Sequence, residues 1–289
     1  MGVLYAEIYA EDPRAHLANP EASYALTCWE LSRESGDIPR EEVFVRRRAE
    51  WLKADMMVLR QIEGGDLLYE AYGANIAAHA GFDMTGKRLS AFQGALYDFY
   101  SRTYADVIRN LKPVATVHRL GNYDERPIWE RVILPVREAG GGVALHVVNR
   151  VRKLQDDVAL ISSRARGNGV LVVQFRRDAH GVIADAVIAG ANAAALRMTG
   201  RRLDEVLDKP IRDCFPGVIH YALWERYLQV AETRQEQTFQ IDYRLDGLDD
   251  LFDVKLYPFR DGVAIDFRVL PRAPEPETAA LAPRSPVPA

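Results

Sequence analysis

The chain carries the same pattern twice. "ANIAAHAGFDMTGKRL" (Ala74 to Leu89) and "ANAAALRMTGRRL" (Ala191 to Leu203) share an Asn-x-Ala-Ala opening and a Met-Thr-Gly triplet. Asn75 and Asn192 stand 117 positions apart, and Met84 and Met198 stand 114 apart. Pro135 in "VILPVREAGGGVALHV" and Pro258 in "KLYPFRDGVAIDF" are 123 apart. Three anchors in one order, with offsets drifting by a few residues, describe a duplication with small insertions, and a repeat of this kind constrains the fold before any local propensity does. At 289 residues each copy has the length of a domain.

Both copies present their local signals in one order. In the second, "GVLVVQF" and "VIADAVIAG" flank the turn-like "DAHG" and predict a hairpin. Asn192 then stands where a helix opens, since its side chain can accept from an unpaired first-turn amide. "AAALRM" favours helix, and Gly200 can take the left-handed conformation that ends it. In "PGVIHYALWERYLQVAETR", Ile219, Leu223, Tyr227 and Val230 recur at helical spacing and predict a longer helix. "QTFQIDYRL", "LFDVKLYPF" and "GVAIDFRVL" complete the copy as strands. The first copy follows suit. "MMVLRQI" and "DLLYEAY" meet at "EGGD", Asn75 and Gly86 follow, and the helix "ALYDFYSRTYADVIRNL" precedes three strand-like runs.

This order, with its Asn-x-Ala-Ala helix start and helix-ending Gly, resembles the PAS sensory domain. The second copy resembles bacterial PAS sequences over most of Gly169 to Leu270. The first, roughly Leu26 to Val148, resembles a divergent bacterial PAS subfamily through "CWELSRESGDIP", "YGANIAAHAGFDMTGKRL" and "ERVILPV". The resemblance implies an α+β protein of two PAS-like domains, each a five-stranded antiparallel sheet with helices over one face and room for a pocket between. The expected layout is an N-terminal extension (1–25), a first domain (26–148), a helical linker (149–167), a second domain (168–270) and a disordered Pro/Ala-rich tail (271–289). Val151, Leu154, Val158 and Ile161 form the linker's apolar stripe, expected to cap its own domain's sheet.

Several motifs point to chemistry that their context withholds. "GFDMTGKR" has P-loop spacing, but Arg88 replaces the Ser/Thr needed for magnesium and the segment follows a helix. "EGGD" lacks the remainder of a cyclase signature and is a hairpin turn. Light-sensing PAS relatives place a reactive cysteine after a glycine; Cys214 follows Ile211 instead, so flavin is not expected and Cys214 is a small core residue. His220 opens the long helix of the second copy, with Arg226 and Tyr227 six and seven residues on. Oxygen-sensing heme PAS domains place their axial histidine in this way, so His220 is the candidate ligand if heme is bound. Its counterpart in the first copy is Tyr97. No other histidine has a ligand-spaced partner, and no catalytic constellation follows from spacing, so an enzyme is not expected.

Mixed charge, a net −4 and no basic stripe give no reason to expect direct nucleic-acid binding. Two cysteines, no apolar run near the roughly 20 residues that span a bilayer, and no signal-peptide layout suggest a cytoplasmic protein without membrane contact. The expected function is that of a sensor or adaptor. It would work through contact with a signalling protein, such as a histidine kinase, response regulator or transcription factor, and would form a homodimer. The alternative is a heme-based gas or redox sensor using His220.

Overall fold

A computed structural model describes residues 4–34, 37–121, 126–152, 158, 161–162, 165 and 167–272. The fold is α+β, with two antiparallel sheets. The first contains β1 (Leu4–Tyr9), β2 (Met56–Gln61), β3 (Leu67–Tyr72), β4 (Val114–Leu120), β5 (Ile128–Arg137) and β6 (Val143–Arg152), in the order β1-β4-β5-β6-β2-β3. The second contains β7 (Gly169–Arg177), β8 (Ile183–Ala191), β9 (Gln237–Tyr243), β10 (Asp250–Pro258) and β11 (Gly262–Leu270), ordered β8-β7-β11-β10-β9. Read from the opposite edge, the first sheet repeats the order of the second and then adds β1.

A sixth strand, from before residue 26, joins the five expected in the first half. β1 pairs with β4 from Leu4↔Leu120 to Tyr9↔Ala115, satisfying the backbone groups of what would be an open edge. From Leu4 onward the expected N-terminal extension packs on the first half. It supplies a strand and the first turns of α1 (Pro20–Leu31), which with α2 (Glu41–Arg47) covers one face of the sheet. Ala25, Leu26, Trp29 and Phe44 pack there against Val132, Leu134 and Val148. The opposite face carries α3 (Ala74–Ala80) and α4 (Gly94–Asn110), where Met57, Ile133 and Leu145 meet Tyr104 and Val107. Strand period two divides β5 between these faces. Val132 and Leu134 go one way; Arg131 and Ile133 go the other.

In the second half α5 (Ala193–Thr199), α6 (Leu203–Val206), α7 (Ile211–Cys214), α8 (Gly217–His220) and α9 (Leu223–Thr233) cover one sheet face. Leu171, Val173, Phe175 and Ile265 meet Trp224, Tyr227 and Val230 there, with Cys214 in the same core. The helix expected over Pro216–Arg234 is two helices. Ala222 takes a left-handed φ of 53°, breaking the stripe and leaving Ile219 47% exposed while Leu223, Tyr227 and Val230 stay buried.

The repeated asparagines do different work. Asn192 is the N-cap of α5: its Oδ1 accepts from the amides of Ala195 (2.8 Å) and Val170 (3.0 Å), and its Nδ2 donates to the Asn168 carbonyl (2.9 Å). Asn75 lies inside α3 and donates to Asp55 (3.0 Å); Gly73 occupies the cap. A Cβ at Gly73 would run into the Ala54 carbonyl, so close backbone packing excludes a capping side chain there. Gly81 and Gly200, both left-handed, end the two helices. Gly86 does not: its amide donates to the Tyr69 carbonyl (2.8 Å), in a loop where the Lys87 ammonium donates to the Asp83 carbonyl (2.7 Å).

The other face of the second sheet packs on the first half. Val170, Val172 and Ala264 meet Val117 and Ile128, with Val158 and Ile161 packed alongside. Of the expected stripe, Val158 and Ile161 therefore sit at the seam between the halves. β6 runs through Arg152, so the expected linker begins as strand. Leu154 and residues 273–289 lie outside the described residues. Polar groups close the seam. Arg119, wholly buried, donates to Asp261 (2.9 Å), and Arg177 also reaches that carboxylate (2.8 Å). Glu7 of β1 accepts from Arg260 (2.6 Å), Arg234 (2.9 Å) and the Tyr9 hydroxyl (2.7 Å). Burial alone would raise the Glu7 carboxyl. The Arg260 charge and the hydrogen bonds from Tyr9 and Arg260 help outweigh it, and Glu7 ionises below its ordinary range.

Candidate functional site

Between the first sheet and α3–α4 lies a cavity of about 180 Å³, built on the strand face that carries Trp129 and Arg131. Glu130, between them, turns to the other face, accepting from Arg152 (2.8 Å) and from the amides of Ala18 and Asn19 (both 2.9 Å). Arg131 is only 4% exposed. Its guanidinium donates to Asn149 Oδ1 (3.0 Å) on β6 and to the Tyr104 (3.0 Å) and Tyr100 (2.9 Å) hydroxyls on α4, and lies 4.1 Å from the Tyr100 ring centre. All these partners are neutral. A guanidinium has five N–H donors, and three are committed here.

His118 on β4 lines the cavity at 1% exposure, with Nε2 3.0 Å from the Tyr100 hydroxyl. Burial, reinforced by the Arg131 charge, pushes its pKa well below the ordinary histidine value, so the ring is neutral. With the Tyr100 hydroxyl accepting from Arg131 and donating to Nε2, the histidine proton falls on Nδ1, a buried atom with no partner among the described residues. Burial likewise raises Tyr100. The walls are aromatic: Tyr69 meets Tyr72 edge-to-face (5.8 Å), Phe82 meets Phe92 (5.9 Å), and Phe92 meets Tyr100 (5.5 Å). Such pairs bring rigidity along with apolar area. Arg126 stands exposed at the rim.

The second half has a cavity at the matching place, about 80 Å³ and apolar. Strand registers make the match residue by residue. Trp129 pairs His118 as Phe252 pairs Ile241, and Arg131 pairs Asn149 as Val254 pairs Phe267. The same 123-residue step sets Tyr100 against Leu223 and Tyr104 against Tyr227. Each polar group around Arg131, Tyr104 excepted, has an apolar counterpart.

His220 is exposed at the end of α8, with its ring against Tyr221 (5.2 Å), and is not among the residues lining the second cavity. The break at Ala222 turns it away from the helix that packs on the sheet. Of its expected companions, Tyr227 lines the cavity and Arg226 lies outside, 4.2 Å from the Phe239 ring centre. The structure thus does not bring these three residues together into a heme pocket. The sequence reading missed Arg131, His118 and Tyr100. The signal for them was an arginine in the apolar run "ERVILPV" whose partner across the 123-residue step is Val254.

The PAS fold family PAS_4 matches residues 181–270, which hold most of the second sheet and its helices. The fold is PAS-like. Among solved structures, the ligand-binding domain of the Pseudomonas aeruginosa PAO1 amino acid chemoreceptor PctC, in complex with GABA, is similar at 15% identity and a TM-score of 0.32, over 88% of each chain. The periplasmic sensory domain of the Campylobacter jejuni chemoreceptor Tlp1 is similar at 10% identity and a TM-score of 0.29, over 88% of this chain and 87% of that one. The sensor region of a sensor histidine kinase follows at 13% and 0.24, over 76% and 88%. A search of curated proteins finds no match. Among the described residues no helix is long and apolar enough to cross a membrane, and no group of three or more His, Cys, Asp or Glu side chains could hold a metal ion.

Proposed function

We propose that the chain is a tandem of two PAS domains acting as a non-catalytic signal sensor. The first domain takes a small molecule into the Arg131 cavity, and the second relays the resulting change to a signalling protein. A histidine kinase, a response regulator or a transcription factor fits that role, with the sensor a cytoplasmic homodimer. The observation that carries this reading is the alternation of β4. His118 faces the cavity, while Val117 and Arg119 on the opposite face pack into the seam with the second half. A ligand that shifts His118 or Tyr100 therefore acts on the strand that holds Asp261, and a two-state seam would convert binding into a population shift.

A melting-temperature screen of the full chain against a library of small metabolites of varied charge tests this. Compounds that stabilise the protein should lose their effect in Leu96→Trp, which fills the cavity from α4, and should alter hydrogen exchange in β4 and around Asp261. If no compound in the library raises the melting temperature of the unaltered chain, the sensing role fails.

A further inference from the structure

Resting on that reading and deepening it, the geometry points to the ligand class: we infer that the first cavity is a site for a small organic anion, a single-ring or similarly compact carboxylate seated on Arg131. Three independent features agree. The first is charge. Arginine remains protonated under all ordinary conditions, and taking its charge out of water is costly unless a counter-charge or full hydrogen bonding compensates. Other deeply buried arginines of this chain have carboxylates: Arg119 has Asp261, and Arg152 has Glu130. Arg131 has Asn149 and two phenols, and none of the described residues lining its cavity is acidic. A carboxylate arriving in the cavity would supply the missing charge.

The second feature is donor geometry. With three guanidinium N–H groups committed, two have no partner among the described residues. Planar guanidinium groups receive carboxylates through parallel N–H donors, a match that ammonium groups do not offer. Arg126 at the rim adds a second positive charge along the approach.

The third is size and shape. A cavity of about 150 Å³ is enough for a benzene molecule. The first cavity, at about 180 Å³, has room for one ring or a short branched chain, and its aromatic walls suit a flat apolar body. The second, at about 80 Å³, is too small and has Val254 in the place of Arg131. A zwitterionic amino acid fits less well than a simple acid, because no carboxylate among the described lining residues would receive its ammonium group.

Calorimetric titration of the full chain with benzoate, benzamide and benzylamine tests the proposal. The three ligands share a ring and differ in charge, so the comparison leaves the protein unaltered and does not depend on a variant folding. Benzoate is expected to bind, with benzamide weaker by roughly 10- to 100-fold, the range for a hydrogen bond to a charged group. Benzylamine is expected not to bind. Arg131→Gln, checked for folding by circular dichroism, is expected to lower benzoate affinity by a similar factor while leaving benzamide nearly unchanged. Benzamide or benzylamine binding as tightly as benzoate would overturn the anion assignment and leave the sensing role standing. So would library compounds without an anionic group that bind in the cavity while benzoate and the library's other compact carboxylates do not. Failure of every compound, charged or neutral, would overturn both.

Discussion

The two cavities occupy the same place in two sheets of the same strand order, yet one is charged and the other is apolar. In the first, Arg131, His118, Asn149 and Tyr100 meet around about 180 Å³; in the second, Val254, Ile241, Phe267 and Leu223 take their positions around about 80 Å³. Burying apolar side chains is favourable without further arrangement. Burying an arginine without a counter-ion is not. The second arrangement is what stability alone would select, so the first needs a reason outside folding. The same half also shows that this chain compensates its other deeply buried arginines with carboxylates, since Arg119 sits on Asp261 across the seam.

The largest test of that contrast compares the two arginines. Arg119→Met leaves Asp261 buried with part of its counter-charge gone, and should cost roughly 3–5 kcal/mol by urea denaturation. Arg131→Met leaves no charge behind and should cost less than about 2 kcal/mol, the loss of hydrogen bonds to neutral partners. Equal losses would show that Arg131 is as fully compensated as Arg119.

Acid should separate the halves next. His146 Nε2 lies 2.8 Å from Glu41, which also accepts from Arg60 (2.9 Å). The His146 hydrogen bond and then Arg60, working against burial, hold Glu41 down at about 2 from an ordinary 4.5. Its contribution is therefore complete above pH 4.5 and is lost as pH falls toward 2. Burial lowers His118 and also His146, where hydrogen bonding to Glu41 only partly opposes it. As pH drops below about 6.5 the unfolded chain takes up those protons first, and stability declines from there. All three groups lie in the first half, so hydrogen exchange should report its loosening at a higher pH than that of the second. Glu41→Gln should flatten the limb between pH 4.5 and 2 by at most about 3 kcal/mol, less with solvent screening. An unchanged limb would remove Glu41 from the account.

Smaller effects probe the repeat itself. Asn192→Ala removes a cap and two further bonds and should cost about 2 kcal/mol, whereas Asn75→Ala removes one side-chain bond and should cost less than about 1 kcal/mol. Thermal melts of the two variants would settle whether their roles have diverged as the structure indicates. Smallest of all, Val218→Ile adds one methyl group beside the second cavity and should change stability by between nothing and a gain of about 0.8 kcal/mol. A loss above 1 kcal/mol would mean that this cavity has no room to fill.

Much of the fold was legible because similar local signals occur twice in the sequence: hairpin, short helices, longer helix and three strands follow in the expected order in both halves. What escaped the sequence depends on tertiary context. The opening segment "LYAEIY" becomes a sixth strand only because β4 offers it an edge. The helical stripe through Ile219 gave no warning that Ala222 would adopt a left-handed φ, and that turn carries His220 outward. Val158 and Ile161 were visible as apolar linker positions, but not that they would pack where the two sheets meet. The Arg131 cavity draws on α4, β4, β5 and β6, elements that sequence spacing cannot superimpose. Lining up the copies on Pro135 and Pro258 would have exposed it, as an arginine standing opposite a valine.

The most direct test is a crystal structure of the full chain grown with 4-bromobenzoate, with the bromine located by its anomalous signal. The account predicts bromine in the first cavity, with the carboxylate on Arg131, and none in the second. Bromine in the Val254 cavity, or a ligand in the first whose carboxylate turns away from Arg131, would contradict it.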